Sequence, residues 1–375
     1  MIEIKELAPT KSNVKKFVKF ERDLYPDNPY YVPPLLSSEL DNLIPERNPA
    51  FDFCEAAYYM AYREGKPVGR IVVMINRQVN ELSGEAIARF GWIDFVDDAE
   101  VAATLLKTAE DWARKKGMKK LVGPLGFTDL DREGTLVEGF EELSTMATIY
   151  NHPYYEQHIR AAGYEKDSDW MEFIMEVPPE IPEKYNRIAD IVKKKFGLKV
   201  VKYSSRKHVK ADYGHALFHL INDAYKDLYQ YSPLTEKQID KYINDYLNLL
   251  NLDLLTLVVD KERRLVGVGI CLPSMSRALQ RSHGKMFPFG WYHLLKGLKG
   301  VNDRVDLLLV AVAPDYQNKG VNALLFQDLI PEFNKYGYKY AESNPEMETN
   351  SKVQSQWEYF NRRQHRRRRS FFKNL

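Results

Sequence analysis

The chain has 375 residues, which exceeds the size of one typical hydrophobic core and predicts two domains. Its composition, with 44% hydrophobic and 28% charged residues, is typical of a soluble globular protein, and no apolar run approaches the length of a membrane span. The net charge is only +2, and the two distant cysteines match no metal or redox spacing, which favours a reducing compartment. No secretory signal is evident at the N-terminus, so we expect a cytoplasmic protein.

The first half of the chain alternates strand-like and helix-like patterns. Residues 2–8 alternate as a strand, and residues 99–116 have a strong helical period that stops at Gly117. The predicted elements are strands over 2–8, 57–64, 67–78, 86–95, 120–124 and 169–177, helices over 14–25, 99–116 and 154–162, and irregular stretches over 26–56 and 125–148.

The second half repeats this order after a proline-rich linker at residues 178–182. Thr235 and Gln238 predict a capping box at the start of one helix. Two copies of one order predict a tandem architecture, with domains over 1–178 and 183–375. The predicted elements are strands over 198–203, 255–259, 265–272, 307–313 and 339–342, and helices over 211–229, 235–250, 321–333 and 351–361.

An insertion at residues 276–300 contains the aromatic run MFPFGWYHLLKGLKG. Its aromatic side chains could cover an acceptor or contact a membrane surface. A short helix that packs on the other domain is the alternative interpretation.

One stretch, residues 305–337, combines a buried strand, a short polar loop and an amphipathic helix. Pro314 ends the strand because it lacks a ladder donor, and Gly337 occupies the place of a helix C-terminal glycine. Pro331 is expected to kink the helix or to end it early. Free N–H groups and the helix dipole at the helix entrance suit a phosphate, and Gly320 would let the backbone approach it.

This stretch resembles motif A of the GNAT (general N-acetyltransferase) superfamily. The string VAVAPDYQNKGVNA places Gln317 and Gly320 as in the family signature Q/R-x-x-G-x-G/A, and it departs from that signature at Asn322. The resemblance implies binding of acetyl-CoA or another acyl-CoA, with the diphosphate on the loop amides and the pantetheine beside the strand. The cofactor-binding residues that it implies are Val310, Val312, Gln317, Asn318, Lys319, Gly320, Val321, Asn322, Ala323 and Asn350.

The same resemblance implies the fold class α/β (α+β), with two GNAT-like domains that each contain a mixed, mostly antiparallel sheet flanked by helices. In the first half, the motif-A position reads DFVDDAEVAA and has no Q/R-x-x-G. Asp97, Asp98 and Glu100 would repel a phosphate there, or they simply complement the helix dipole. We therefore expect a CoA site in the second half, while the first half shapes the acceptor site.

Catalytic roles also follow from the resemblance. Acyl transfer to an amine needs a base, and the family's base position, six residues before Val312, holds Asp306. The family's acid is a tyrosine seven residues after an asparagine. Counted from Asn350, that position holds Trp357, and Tyr359 is the nearby candidate.

We expect an acyl-CoA-dependent N-acyltransferase of the N-acetyltransferase type that acts on a small-molecule or peptide amine. A Fem-type transferase that uses aminoacyl-tRNA and a non-catalytic CoA-binding or scaffold protein are the alternatives. The Arg-rich residues 362–375 could bind RNA or an acidic carrier, or form a final strand whose arginines meet acids of the body or the CoA adenosine phosphate. His215 and His219 lie four residues apart without a third ligand in the pattern, so no metal site is expected.

Overall fold

The computed structural model describes residues 1–247, 249–300 and 302–375, and it confirms a mixed α/β fold with mostly antiparallel strands and flanking helices. The residue contacts group into two compact units. The first unit contains residues 1–171, 276–293 and 365–375, and the second contains residues 172–275 and 294–364. The domain boundary at residues 178–183 stays a prediction.

In chain order, the strands are β1 (Ile2–Glu6), β2 (Cys54–Arg63), β3 (Lys66–Asn76), β4 (Ile87–Phe95), β5 (Lys120–Gly123), β6 (Thr135–Glu138), β7 (Glu165–Glu176), β8 (Lys199–Val201), β9 (Leu255–Val259), β10 (Leu265–Pro273), β11 (Arg304–Val312), β12 (Tyr340–Ser343), β13 (Glu346–Met347) and β14 (Arg362–Asn374). The α-helices are α1 (Lys11–Leu24), α2 (Leu36–Leu43), α3 (Arg77–Ser83), α4 (Ala99–Lys115), α5 (Tyr154–Ala161), α6 (Glu183–Phe196), α7 (Arg206–Tyr225), α8 (Glu236–Tyr246), α9 (Ser276–Ser282), α10 (Gly290–Leu298), α11 (Asn322–Lys335) and α12 (Ser351–Gln354).

In the first unit, the hydrogen-bonded strand order is β1-β2-β3-β4-β5-β14. Glu64 and Gly65, both at positive φ, form the two-residue turn between β2 and β3, a turn whose twist matches that of the strands. Only the β4–β5 pair of this order is parallel. The apolar face of α4, with Val101, Leu105 and Ala109 buried, contributes to the core on this sheet.

In the second unit, β8, β9, β10, β11 and β12 are neighbours in that order, and the end of β7 pairs with β12. β11 and β12 are parallel, whereas the other pairs are antiparallel. The core is formed by apolar residues of α6, α7, α8 and α11 packed against β9 and β10. The predicted capping box of Thr235 and Gln238 is confirmed at the start of α8.

Two helices of the second unit differ from the prediction. The sequence pattern does not predict α6, although Tyr185, Ala189 and Val192 are buried at a helical spacing, because the proline-rich linker that precedes it suggests irregular chain. The helix predicted over 351–361 is wrong: α12 ends at Gln354, a 3-10 turn follows to Trp357, and the chain then enters β14.

Helix α11 continues through Pro331 to Lys335, so of the two expected effects of the proline, a kink or an early end, the early end is wrong. Gly337 follows the helix at a φ of 75°, as a C-terminal glycine should. The irregular stretches predicted in the first half contain the short elements α2 and β6 and two 3-10 turns, Pro45–Arg47 and Pro49–Asp52. None of the described helices is both long enough and apolar enough to cross a membrane.

Candidate functional site

The second unit contains the predicted strand, loop and helix of residues 305–337. β11 ends at Val312, a short 3-10 turn spans Pro314–Tyr316, and α11 begins at Asn322. In the loop between them, Asn318 and Gly320 adopt positive φ angles of 59° and 82°. The chain therefore turns sharply just before the helix entrance.

Backbone amides at this helix entrance are free. Among the described residues, the N–H groups of Gly320, Val321 and Asn322 have no hydrogen-bond acceptor, whereas the N–H of Ala323 donates to the Gly320 oxygen at 3.0 Å. Gly320 is left-handed and Val321 is right-handed helical, and this alternation aims successive N–H groups into one concavity. Because the helix dipole adds positive potential, the concavity suits a phosphate group.

Gly320 is needed at this turn for two reasons. Its positive φ would strain a residue with a side chain. A Cβ at this position would also lie 2.8 Å from Ile188 and 3.1 Å from Val192, which belong to α6. The unpredicted helix α6 therefore packs directly behind the loop and fixes its position.

The outer side of the loop faces solvent and carries positive charge. Gln317, Asn318 and Lys319 are exposed. The Lys319 ammonium lies 5.2 Å from the ring centroids of both Phe196 and Tyr316, a contact that holds the cation beside the loop. The helix entrance is thus open on the side from which an anion would approach.

Next to the loop, β11 loses its neighbour on one edge. The parallel pairing of β11 with β12 ends at Leu307 and Ser343. Val310 and Val312, farther along β11, are only half-buried. The strand is therefore less buried than its apolar run predicts, because β12 no longer covers its edge.

An apolar groove with a cavity volume of about 30 Å³ lies between α11 and strands of the second unit. Most of its wall is aliphatic or aromatic, and its lining includes Cys271, Leu307, Val310, Leu325, Phe326 and Leu329.

Asn322, the residue at which the sequence departs from the motif-A signature, lines this groove. Its Oδ1 is buried and has no hydrogen-bond partner among the described residues. The side chain therefore lies in the groove and does not cover the free amides, while the backbone N–H of Asn322 is one of them.

Asp306, the predicted base, lies in the interior of the second unit. It is paired with Leu272 of β10 and Glu342 of β12, and only 1% of its surface is exposed. Burial raises the pKa of the nearby Cys271 thiol, and the charge of Asp306 adds to that increase. Its role as a base stays a prediction.

Glu346 is an acid that the sequence did not single out. Burial raises the pKa of its carboxyl group from 4.5 to about 7. Its Oε1 accepts a hydrogen bond from Nε1 of Trp357, a residue of the groove wall, at 2.7 Å, and its Oε2 has no hydrogen-bond partner among the described residues. Its charge adds to the burial that raises the pKa of Tyr225 to about 12, and the Tyr225 hydroxyl donates to the Val310 oxygen at 2.8 Å. Glu346 therefore contacts the groove wall through Trp357 but, among the described residues, does not itself line the groove.

The other predicted site residues of this region have structural partners. Tyr359 is 48% exposed, and its hydroxyl is hydrogen-bonded to the Lys184 ammonium. Asn350 caps α12 by accepting a hydrogen bond from the N–H of Val353 at 3.3 Å. Neither Tyr359 nor Asn350 is among the described residues that line the groove. Their catalytic and cofactor-binding roles stay predictions.

The corresponding turn of the first unit, between β4 and α4, is closed by Asp98. Its Oδ1 accepts hydrogen bonds from the N–H groups of Glu100 at 2.9 Å and Val101 at 3.2 Å. The hydrogen bond from Arg63 to the other oxygen lowers the Asp98 pKa. The chain's own carboxylate thus occupies the amides that a phosphate would need.

The first unit also contains a buried ion network that no local sequence pattern indicates. Arg70 donates from Nε to Asp94 and from a terminal nitrogen to Glu21, each at 2.7 Å. The hydroxyl group of Tyr155 donates to Asp94 at 3.0 Å. Burial raises the Asp94 pKa to about 6, although Arg70 opposes that increase. Both oxygens of Asp94 are engaged, so we interpret the network as part of the core.

In the structure, a third possible ligand, Glu236, lies beside His215 and His219, although no third ligand was evident in the sequence pattern. Nδ1 of His215 and Nε2 of His219 each lie 3.4 Å from an oxygen of Glu236 on α8, and Nε2 of His215 lies 3.3 Å from Asp240. The expectation that no third residue joins the pair is therefore wrong. Glu236 and both histidines are exposed, and side-chain contacts between α7 and α8 account for the cluster.

No protein-family model matches the chain. Two curated bacterial proteins are similar to it over most of its length. Protein YghO of Escherichia coli is 27% identical over 371 residues, which cover 97% of this chain and 94% of that protein. A bacterial ceramide synthase of Caulobacter vibrioides is 29% identical over 291 residues, which cover 77% of this chain and 75% of that protein.

Solved structures are similar over the whole chain. A tandem GNAT protein from the clavulanic acid biosynthesis pathway has a TM-score of 0.59 and 11% identity, with coverage of 100% of this chain and 98% of that chain. A GCN5-related N-acetyltransferase from Sphaerobacter thermophilus has a TM-score of 0.52 and 12% identity, with coverage of 99% and 95%. At these identities the similarity concerns the fold.

Proposed function

We propose that this chain, a protein of the tandem GNAT fold, is an acyl-CoA-dependent N-acyltransferase with its CoA site in the second unit. The observation that carries the proposal is the set of free N–H groups at Gly320, Val321 and Asn322, at a solvent-open helix entrance. The first unit, in which Asp98 closes the corresponding turn, is proposed to shape the site of the amine acceptor.

The residues of the loop fit the diphosphate of CoA. Free amides at a helix N-terminus supply donors, and the Lys319 ammonium adds positive charge. The pantetheine would lie along β11 beyond Leu307, where the pairing with β12 ends. Its amide groups would there replace the side-chain donors Tyr225 and Gln317, which now bind the oxygens of Val310 and Val312. When bound, acyl-CoA would supply the thioester carbonyl that the amine attacks.

The groove supports a long acyl chain as the group transferred, in place of the acetyl group that the sequence resemblance implies. Its wall is almost entirely apolar, which suits a hydrocarbon chain. One of the similar proteins is named a bacterial ceramide synthase, and that name denotes formation of an amide-linked lipid. A long-chain donor and an amine acceptor agree with both observations.

Glu346 is proposed as the general base. A carboxyl group with a pKa near 7 can take up a proton at neutral pH. Its Oε2 has no hydrogen-bond partner among the described residues, although Ser343 lies close enough to lower the pKa. The hydrogen bond from Trp357 fixes the orientation of the carboxylate. In the step, the amine nitrogen bonds to the carbonyl carbon and the amine proton passes to Glu346. The carbon–sulfur bond then breaks, and CoA leaves as a thiolate that takes up a proton from water. Asp306 and Tyr359 are the candidates for base and acid that the sequence predicts. Their variants are compared with the Glu346 variant in the Discussion.

A cytoplasmic location is part of this proposal. Cys54 and Cys271 are both unpaired and buried, which agrees with a reducing compartment.

Calorimetric titration of the full chain with CoA, acetyl-CoA and palmitoyl-CoA tests the proposal. We expect all three to bind at one site and to raise the melting temperature, with palmitoyl-CoA binding most tightly. Enlarging the groove residue Ala341 to leucine should remove only the additional affinity for palmitoyl-CoA. Absence of binding by all three would reject the CoA site. Equal affinities for the acetyl and palmitoyl thioesters would reject the long acyl chain.

A further inference from the structure

The segment after α9 exposes an unusual concentration of large apolar side chains. Phe287 is 76% exposed, Phe289 75%, Tyr292 56%, Trp291 44% and Met286 43%. We call these five residues the aromatic tip. Side chains of this size are normally buried, and a contiguous exposed group of them marks an interaction surface.

The base of this segment is held firmly by the first unit. The Ser276 hydroxyl donates to the Ser144 oxygen at 2.7 Å, and Gln280 Nε2 donates to the Tyr31 oxygen at 2.9 Å. The Gly284 oxygen accepts from the N–H of Leu36 at 2.9 Å. The tip therefore projects from an anchored stem.

The tip itself has little protein to pack against. Trp291 and Tyr292 contact each other edge to face, with ring centroids 6.2 Å apart. Among the described residues, the side chains of the tip form no hydrogen bond and belong to no hydrophobic core cluster. Its exposure is thus not explained by a role in the described core.

The segment that carries the tip has charge of one sign, which is basic. The sequence has no aspartate or glutamate from Arg264 to Asn302. Arg277, Arg281 and Lys285, which precede the tip, are exposed. A basic surface beside tryptophan, tyrosine and phenylalanine is the combination that binds at the interface of anionic membranes.

We propose that the aromatic tip inserts into the headgroup region of a membrane that contains anionic lipid, while Arg277, Arg281 and Lys285 contact the lipid phosphates. We choose a lipid surface as the binding partner because the segment combines exposed apolar side chains with positive charge only. An anionic bilayer complements both features. α10 covers only Gly290–Leu298, so the segment would lie at the surface without crossing it. This inference depends on the exposure and charge of the segment and not on the proposed acyl transfer.

Vesicle flotation of the full chain tests this proposal. We expect flotation with vesicles of phosphatidylcholine and phosphatidylglycerol, weaker flotation with phosphatidylcholine alone, and release at high salt. The double variant F287S/F289S should lower partitioning by about tenfold or more because it removes the largest insertion groups. The variant R281E/K285E should lose binding to the anionic vesicles in particular.

Matched variants separate the tip from general surface effects. L82S removes another large apolar side chain, 68% exposed on α3, and K15E/K16E makes the same charge change on exposed residues of α1. Both controls should float like the unchanged chain, and melting temperatures should confirm that every variant is folded. The proposal is overturned if the unchanged chain does not float with anionic vesicles, or if F287S/F289S floats equally well. It is also overturned if that variant abolishes only self-association in sedimentation velocity, since a second copy would then cover the tip.

Discussion

The two strand-to-helix turns of this chain follow the same order of elements but treat their helix amides in opposite ways. Between β4 and α4, the Asp98 carboxylate accepts the hydrogen bonds of Glu100 and Val101. Between β11 and α11, Gly320, Val321 and Asn322 keep their N–H groups free. A single side chain therefore decides whether a helix entrance is closed by the protein or left for a ligand.

The two units also differ in how their buried carboxyl groups, Asp94 and Glu346, are hydrogen-bonded. Asp94 in the first unit has a pKa raised to about 6, yet both of its oxygens are engaged by Arg70 and tyrosine hydroxyls. Glu346 in the second unit has a pKa raised to about 7, and one of its oxygens has no partner among the described residues. Burial raises the pKa of both carboxyl groups, but only Glu346 of the two retains a free acceptor. A raised pKa indicates function only when the group can still accept a proton.

The largest expected effect comes from Glu346→Gln. This change should lower kcat by about 10²–10⁴-fold, because the amide cannot accept the amine proton. The affinity for CoA, measured by calorimetry, should stay unchanged. In the unchanged chain, kcat should rise with pH through about 7 as Glu346 deprotonates, and the variant should lose this rise.

Asp306→Asn and Tyr359→Phe are the matched controls for this measurement. If Asp306→Asn abolishes the pH dependence and Glu346→Gln keeps it, the base is Asp306 and the assignment of Glu346 is wrong.

Glu346 should also make the unchanged chain less stable as pH rises, and Glu346→Gln should remove this loss of stability. The folded pKa of about 7 lies above the ordinary value of 4.5, so the folded state releases its proton later than the unfolded state does, and stability declines between these two pH values.

The next effect is expected at Gly320. Gly320→Ala places a Cβ 2.8 Å from Ile188 and strains a φ of 82°, at a cost of about 1–2 kcal/mol, so CoA should bind about tenfold more weakly. Gly337→Ala is the control, since that glycine has a φ of 75° and nothing within 4 Å of an added Cβ. Equal affinities for CoA in the two variants would mean that the loop does not hold the ligand.

The smallest effect is expected at Asp98. Asp98→Ala removes the N-cap of α4 and should lower the free energy of unfolding by about 1 kcal/mol in urea titrations. CoA should still bind at one site per chain, because the first unit lacks the glycine turn of the second. A second equivalent of CoA bound by this variant would show that Asp98 alone keeps the first unit closed.

The sequence was informative where function depends on a short continuous stretch. The Gln317–Gly320 loop could be predicted because a strand, a glycine turn and a helix entrance are local features. Glu346 could not, since its pKa depends on burial beside Trp357 and not on its neighbours in sequence. The support that α6 gives to Gly320 was also hidden, because Ile188 and Gly320 are distant in the chain.

The Arg-rich residues 362–375 also show that contacts between distant parts of the chain cannot be predicted from a local sequence pattern. These arginines suggested either a ligand or an acidic body, and the structure places residues 365–375 in the first unit as part of β14. Arg366 and Arg368 are fully buried and hydrogen-bonded to the backbone oxygens of Leu143 and Ile149, and Arg369 pairs with Asp169 at 2.7 Å. A run of like charges in a sequence predicts an exposed segment, whereas alternate residues of a strand face opposite sides.

This placement of β14 has a consequence for biosynthesis. Phe371 and Phe372 pair with Gly123 and Val122 of β5, so the sheet of the first unit includes a strand that the ribosome makes after residues 172–364. The N-terminal portion must therefore wait, partly assembled and with the edge of β5 unprotected, until translation has passed through the entire second unit. Newly made chains would depend on chaperones during that interval, and slow translation of the second unit would prolong their exposure to aggregation.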